Sequence, residues 1–449
     1  MNNSNILSGR FVLPLGDTHP TSTNFSQLVN LLQPVTLPLT PVEEWTSSEF
    51  VGFGVVLQSR TGTSNETFFA FKASPNRGHN HGDQLSFHYA AYGSRIVIDV
   101  MAGYLPRPPQ EFWHNRLCFG NLTNIDGTER LVGFKNNIQV ESQLQSSKNT
   151  TLASIAVGQV TSYRLQNMPA IPPPNFLQVF PTTSLPSPIV YRRSTLFLPA
   201  PTFEVNSRDC IILLDAHNAS NINISAYSVL LFFQQFGMIA TELKNISSNG
   251  IGLDMGNSTV ITFAINDSGL AIPLTYMLDR WNWTSEGNEN ATRLKVFSKL
   301  NETTSTTIDT SLFITILYPQ GSVSIPSTSQ VSIPMFDFIN NTLKIIWPLG
   351  TLDVITFTGA LVNASLTLDT IDDKKKNENI SIPIVTLIRN NSASIILMND
   401  TDLSYSRFQG DIGLNILDTG YTFNEIPNQV IEERGGNLIP PSYPFPIPH

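Results

Sequence analysis

RGHNHGDQLSFHYAAYGSRIVID occupies residues 77–99 and is the stretch of sequence that constrains the fold most. Apolar and aromatic residues alternate with polar ones from Leu85 to Tyr89, and a second apolar stretch contains Ile96 and Ile98. This period of two is typical of β-strands, on which successive side chains point to opposite faces. The stretch therefore predicts a strand followed by a return strand.

The same stretch concentrates groups that can bind a metal ion or transfer protons. His79, His81 and Asp83 alternate along the chain, so an extended backbone would place their side chains on one face. A return strand would bring Asp99 near His81. The chain has only 7 His in 449 residues, and this concentration makes the stretch the first candidate for a metal or acid–base site.

Strand-like runs rich in Val, Ile, Phe and Thr continue on both sides of this stretch. They include residues 189–198, 211–215 and 311–318 and are separated by Asn, Gly, Ser and Pro. Many strands without intervening helices favour antiparallel sheets packed face to face. We predict an all-β fold, with a large antiparallel two-layer β-sandwich over residues 46–320. A smaller β domain with an irregular Pro-rich tail should follow over residues 321–449.

Composition excludes several classes of protein. A hydrophobic fraction of 41% is enough for a sizeable core. The net charge of -9 argues against a nucleic-acid partner, whose phosphates require clustered Lys and Arg. The longest apolar runs are shorter than the roughly 20 residues that cross a bilayer, so we expect no membrane span. The oligomeric state is left open by the sequence.

Asn-x-Ser/Thr sequons are abundant and bear on localisation. About eighteen occur, including those at Asn65 and Asn149, where chance would give about eight. They favour a glycosylated protein that is secreted or belongs to the cell envelope, although a genome rich in Asn, Ser and Thr is the alternative. The first residues show no signal-peptide pattern. Cys118 and Cys210 could pair in an oxidising compartment or remain two buried thiols.

Residues 77–99 resemble the signature of the heparinase II/III-like family, in which G-H-x-H-x-D-Q-x-S-F precedes Y-A-x-G and an Asp. His114-Asn115 and the NIDG at residues 124–127 are similar to a second element of the family. The resemblance covers roughly residues 46–320 and is most specific at the signature. It implies a polysaccharide lyase that cleaves uronate-containing glycans by β-elimination.

The resemblance also implies residues for substrate chemistry. His79 corresponds to the active-site histidine of the family, and Tyr104 to an aromatic residue that lines the cleft. An acidic polysaccharide substrate requires local positive charge, which Lys72, Arg107 and Arg116 could supply. His and Tyr suit proton transfer because their environment can move their pKa values towards neutrality.

A zinc site is implied as well. His81, Asp99 and His114 correspond to the positions that hold zinc in heparinase II-like members. Two imidazoles and a carboxylate leave a fourth position for water. The resemblance predicts a structural zinc that ties strands together, because a tyrosine of another domain handles the proton in the family.

That other domain is an N-terminal helical toroid, which has no counterpart in this sequence. Residues 13–18 (LPLGDT) are similar to the linker that follows the toroid, so residues 1–45 are expected to be a linker remnant and the lyase to be incomplete. Two alternatives stay open. One is a uronyl C5-epimerase similar to dermatan-sulfate epimerase, and the other is a non-catalytic carbohydrate-binding β-sandwich.

Overall fold

The computed structural model describes just over half of the chain, beginning at Thr46. The described residues are 46–50, 54–61, 63, 65–73, 83–99, 114–125, 128–137, 140–149, 153–168, 182–201, 207–219, 225–233, 240–243, 250–266, 268–282, 290–299, 310–320, 333–339, 342–358, 365–367, 379–381, 384–389, 392–398, 403–409 and 430–433. Most of them belong to β-strands, and no α-helix occurs among them.

Eighteen strands form one hydrogen-bonded system. They are β1 (Thr46–Phe50), β2 (Gly54–Ser59), β3 (Thr67–Lys72), β4 (Phe87–Ala91), β5 (Ser94–Val97), β6 (Arg116–Ile125), β7 (Thr128–Asn137), β8 (Val140–Asn149), β9 (Ser154–Met168), β10 (Thr182–Leu198), β11 (Cys210–His217), β12 (Ser225–Phe233), β13 (Thr241–Glu242), β14 (Ile251–Asp254), β15 (Ser258–Ile265), β16 (Leu274–Asn282), β17 (Asn290–Ser298) and β18 (Leu312–Pro319).

Nine further strands follow and form a 7-stranded and a 2-stranded sheet. They are β19 (Met335–Ile339), β20 (Thr342–Ile346), β21 (Leu352–Thr358), β22 (Ser365–Thr367), β23 (Asn379–Ser381), β24 (Ile384–Arg389), β25 (Ser392–Met398), β26 (Leu403–Gln409) and β27 (Val430–Glu433). β22 pairs with β23, and the other seven strands form the larger sheet.

The first eighteen strands are arranged in two antiparallel layers. In the first layer, pairing runs in the order β1-β2-β3-β4-β5-β12-β17-β16. In the second layer it runs β8-β9-β10-β11-β18-β15-β14-β13. The β6–β7 hairpin connects the layers, because β6 pairs with β12 and β7 pairs with β9. The prediction of an all-β, sandwich-type fold is confirmed.

A hydrophobic core fills the space between the two layers. Phe69 and Phe87 of the first layer lie in it, with their ring centroids 5.0 Å apart, and Ile211 and Phe313 enter from the second layer. Fully burying side chains of this size stabilises the fold by about 1.5–3 kcal/mol each. The layers approach each other closely at Gly158, where a Cβ would lie 2.5 Å from Leu85 Cδ2 and 2.9 Å from Phe71 Cζ, so a larger residue at this point of β9 would displace core side chains.

The second layer is buried on its outer face as well. All eight residues of β11, β15 and β18 are buried. Ile212 and Ile314 share one buried hydrophobic cluster with Trp347 of the later sheet, and the ring centroids of Phe263 and Phe338 are 5.4 Å apart, so the later sheet forms a third layer. The sequences of these strands are continuous apolar runs because each face packs into a hydrophobic core and neither is exposed to water.

A hydrogen bond from an ion-paired arginine joins the third layer to the sandwich. Arg389 donates from Nε to Asp353 Oδ1 at 2.7 Å and from Nη2 to Pro199 O at 2.7 Å. Trp347 Nε1 donates to Asp353 Oδ2 at 2.8 Å. The sequence did not predict this packing between the two parts of the chain.

The two cysteines do not form a disulfide. Cys118 and Cys210 are both buried free thiols, and burial raises the pKa of the Cys210 thiol.

Among the described residues, no helix has the length and apolar character needed to cross a membrane.

Candidate functional site

The signature stretch enters the structure at the end of β3. Lys72 N donates to Ser86 O and Leu85 N donates to Lys72 O, both at 2.9 Å, so the residues before β4 are fastened to the end of β3. Leu85 has a φ of 63°, in the left-handed region that non-glycine residues seldom adopt. These bonds place Asp83 beside Lys72, with which it forms an ion pair.

Asp99 and His114 meet at the same end of the first layer. Asp99 follows β5 and His114 precedes β6, and both strands pair with β12. The backbone of Leu231 on β12 holds the two ends, because its oxygen accepts from Ile98 N at 2.9 Å. Its N–H donates to Asn115 Oδ1 at 2.7 Å. As a result His114 Nδ1 lies 2.7 Å from Asp99 Oδ1.

Asn115 is the residue that sets this geometry. Its side-chain nitrogen donates to Phe87 O at 2.9 Å and to Ile98 O at 2.8 Å, and its backbone N–H donates to Ser86 Oγ at 3.0 Å. The residue is fully buried. One amide therefore joins three segments of the site, a role that the His-Asn sequence pair alone does not reveal.

His88 belongs to the cluster and was missed in the sequence analysis. β4 alternates in burial, which places Phe87 and Tyr89 in the core and His88 on the opposite face. His88 Nδ1 accepts from Asp99 N at 3.2 Å. Burial lowers the pKa of His88, which keeps the imidazole neutral at pH 7. The alternation in Phe87-His88-Tyr89 was the signal that could have identified it.

The Asp99 carboxyl group is held in its ionised form by its surroundings. Burial by itself would raise the pKa of its carboxyl group, but His114, His88 and the Ser86 hydroxyl together lower the pKa to about 2. The Asp99 side chain is 12% exposed and that of His114 only 1%. Asp99 is thus ionised at neutral pH and directed at an imidazole.

The two described cations predicted to bind substrate have different placements. The Lys72 side chain is 27% exposed and pairs with Asp83 at the edge of the cluster. Arg116 is fully buried, donates to Gln84 Oε1 at 3.1 Å, and lies 5.7 Å from the Tyr191 ring centroid. A glycan in solvent does not reach this guanidinium, and we assign Arg116 to the core.

The remaining predicted residues, His79, His81, Tyr104 and Arg107, lie outside the described residues. Within the described part of the chain, no group of three or more His, Cys, Asp or Glu is arranged to hold a metal ion. The structure thus brings together two of the three predicted zinc ligands, Asp99 and His114.

The chemistry of Asp99 and His114 fits a zinc site. A carboxylate that bonds to one ring nitrogen of a histidine orients that ring in many metal sites. Because Asp99 occupies His114 Nδ1 at 2.7 Å, the ring would reach a metal ion through Nε2. Asp99 would then orient a ligand in this geometry, and would bind the ion itself only if the hydrogen bond opened.

A fully buried ion pair lies beneath the site. Arg193 on β10 and Asp215 on β11 are both 0% exposed, with Nε–Oδ1 at 2.6 Å and Nη2–Oδ2 at 2.7 Å. Arg193 Nη1 also donates to Leu85 O at 2.7 Å and to Asn115 O. Tyr191 Oη donates to Asp215 Oδ1 at 3.0 Å. Through Arg193, the second layer therefore binds the backbone oxygens of Leu85 and Asn115 at the candidate site.

No protein-family model matches this chain, and no curated protein matches it either.

Proposed function

We propose that this chain is the β-sandwich and C-terminal portion of a heparinase II/III-like polysaccharide lyase, incomplete by itself, whose family acts on uronate-containing glycans by β-elimination. The observation that best supports the proposal is the contact between Asp99 and His114, 2.7 Å apart although 15 residues separate them. Both positions were singled out by the resemblance. Lys72 and His88 belong to the same end of the first layer.

The reaction needs a base and an acid beside the uronate. The bond from C5 to hydrogen breaks, its electron pair forms the C4–C5 double bond, and the C4–O bond breaks as the leaving oxygen gains a proton. We assign proton transfer to His79, with Tyr104 as the second candidate. Lys72 and Arg107 would hold the carboxylate of the uronate, which stabilises the charge that develops next to C5.

His81, Asp99 and His114 are the residues that would hold zinc, with Asp99 as a ligand only where its hydrogen bond to His114 opens and otherwise as the group that orients the His114 ring. When bound, the ion supplies a fixed positive charge that joins the segment before β4 to those after β5 and before β6. Asp99 keeps the His114 ring in one orientation, and Asn115 keeps both segments in place.

The zinc assignment predicts a metal content. Purified protein is expected to contain about one zinc per chain by elemental analysis. His114→Ala should weaken zinc binding by about 10-fold to 100-fold or more and lower the melting temperature. His217→Phe, at a buried histidine elsewhere, is the matched control and should retain the metal. A metal-free preparation whose melting temperature is unchanged by chelator would contradict the assignment.

The lyase assignment predicts an unsaturated product. Heparin, heparan sulfate, chondroitin and alginate are incubated with the chain alone and with a family toroid supplied in trans, and ultraviolet absorbance reports the alkene. Product is expected only with the toroid, and His79→Ala should reduce its rate by about 10²- to 10⁴-fold. No product in either arrangement would overturn the proposal, and hydrogen exchange at C5 without alkene would identify an epimerase.

The proposed secretion of the protein leads us to expect glycans at its exposed Asn-x-Ser/Thr sequons. Asn65 is exposed in a turn, whereas Asn257 is 5% exposed and donates from Nδ2 to Arg95 O at 2.7 Å. A secreting eukaryotic host should attach a glycan at Asn65 and leave Asn257 unmodified, because the transferase needs an accessible loop. Glycopeptide mass spectrometry distinguishes the two positions. The absence of any mass change after glycosidase treatment would favour the compositional explanation.

A further inference from the structure

A second cluster of charged side chains lies at the other end of β3 and β4 from the candidate functional site. Arg60 follows β2, Tyr92 lies in the turn between β4 and β5, and Arg208 and Asp209 precede β11. Tyr92 N donates to Glu66 O at 2.9 Å, next to the start of β3. Because β3 spans 6 residues, the two clusters are about 17 Å apart.

The carboxylate of this cluster is occupied by donors of the chain itself. Asp209 Oδ1 accepts from Arg60 Nη2 at 3.0 Å and from Ala200 N at 2.9 Å, and its Oδ2 accepts from Ser59 Oγ at 3.0 Å. Tyr92 Oη accepts from Asp209 N at 3.2 Å and from Arg60 Nη1. The oxygen atoms of Asp209 and Tyr92 therefore already accept hydrogen bonds from donors of the chain.

The unused hydrogen-bonding capacity consists of donors. Arg208 Nη1 is buried and has no acceptor among the described residues. The Tyr92 hydroxyl can still donate its own proton, and within the described ranges no acceptor for it is found. The Arg208 guanidinium carbon lies 4.1 Å from the centroid of the Tyr92 ring, so both donors are on one small surface.

The two guanidinium groups of the cluster differ in their partners. Arg60 pairs with Asp209, whereas Arg208 forms no ion pair within the part of the chain that is described. Burial lowers the pKa of Arg208, which indicates that its charge is poorly compensated. The Arg60 side chain is 30% exposed, so the cluster is open to solvent.

The backbone of the cluster is in an uncommon conformation. Arg60 and Tyr92 have φ values of 51° and 52°, in the left-handed region that is unfavourable for residues with a Cβ. Tyr92 and Gly93, with a φ of 74°, form the two-residue loop between β4 and β5, and two successive positive φ values are those of a type I′ hairpin turn. The side-chain bonds from Arg60 to Tyr92 and Asp209 join this turn to the end of β2 and to the residues before β11.

We propose that Arg60, Tyr92 and Arg208 form a binding site for a small oxyanion, either a sulfate or carboxylate group of a saccharide or a free inorganic anion. A planar guanidinium and a phenolic O–H fit the oxygens of such a group. The site lies apart from the proposed zinc site and does not depend on the lyase function.

The test is a calorimetric titration of the full chain with inorganic sulfate at constant ionic strength. Saturable binding is expected, and Arg208→Gln should weaken it by at least about tenfold. Arg95→Gln is the matched control, because Arg95 also lies over an aromatic ring, 5.6 Å from Phe233, on the same sheet. It should change the affinity less than about twofold. Equal affinity in wild type and Arg208→Gln overturns the proposal.

A second measurement uses the unmodified protein, so it does not depend on how the variant folds. Phenylglyoxal modifies accessible arginines, and sulfate should protect Arg60 and Arg208 but not Arg95 in a peptide map. Equal modification of all three with and without sulfate overturns the proposal. Titration with glucosamine 6-sulfate and with glucuronate identifies the source, since tighter binding than inorganic sulfate assigns the site to a saccharide and equal binding assigns it to a free anion.

Discussion

Asp215→Ala is expected to lower the free energy of unfolding by about 3–5 kcal/mol. The substitution leaves the Arg193 guanidinium charged, fully buried and without its carboxylate, since both side chains are 0% exposed. Tyr191 Oη would lose its acceptor as well. Urea denaturation measures the loss.

Two variants control for this effect. Asp337→Ala, on a strand where Lys344 lies opposite in register and the residue is only partly buried, should cost about 1 kcal/mol or less. Combining Asp215→Leu with Arg193→Met removes both charges and should restore part of the loss, because the desolvation cost of the ions disappears, while Leu85 O, Asn115 O and the Tyr191 hydroxyl lose their partners. If Asp215→Ala lowers the free energy of unfolding by less than about 1 kcal/mol, water reaches the Arg193–Asp215 pair despite its burial.

Acidification from pH 7 to pH 4.5 is expected to cost the wild type about 2–3 kcal/mol more than His217→Phe. The His217 ring is stacked on Phe313 and lies edge-on to Phe119, with centroid distances of 6.3 and 5.7 Å. Burial lowers the pKa of His217 from 6.5 to about 3. The folded protein therefore keeps this imidazole neutral.

The direction of the effect follows from proton binding. Above pH 6.5 both states carry a neutral imidazole, so the stability is fully present. As the pH falls from 6.5 towards 3, the unfolded chain gains a proton that the folded chain excludes, and stability is lost. Urea denaturation of both proteins at pH 7 and pH 4.5 tests this. Parallel losses in the two proteins would mean that His217 does not titrate with the proposed pKa.

The candidate site was predictable only in part. The His-x-His-x-Asp pattern and the later Asp99 and His114 pointed to one metal or acid–base cluster, and Asp99 and His114 are in contact. Arg116 was expected to supply positive charge for an acidic substrate, which requires an accessible guanidinium. The structure instead encloses it with Gln84 and Tyr191. Sequence patterns near Arg116 do not record such partners, since Tyr191 lies on a distant strand.

Local periodicity in the sequence determined the strands, their faces and the all-β class, because alternation of side chains is a property of the extended backbone itself. It determined, for example, that Phe87 and Tyr89 enter the core and that His88 faces the other way. Tertiary structure alone decided that β11, β15 and β18 are covered on both sides and that Arg193 meets Asp215. It also decided that Cys118 and Cys210 stay apart. These features depend on strand register and layer packing between distant segments, and the free energy of burying a charge or a thiol depends on partners that no local pattern specifies.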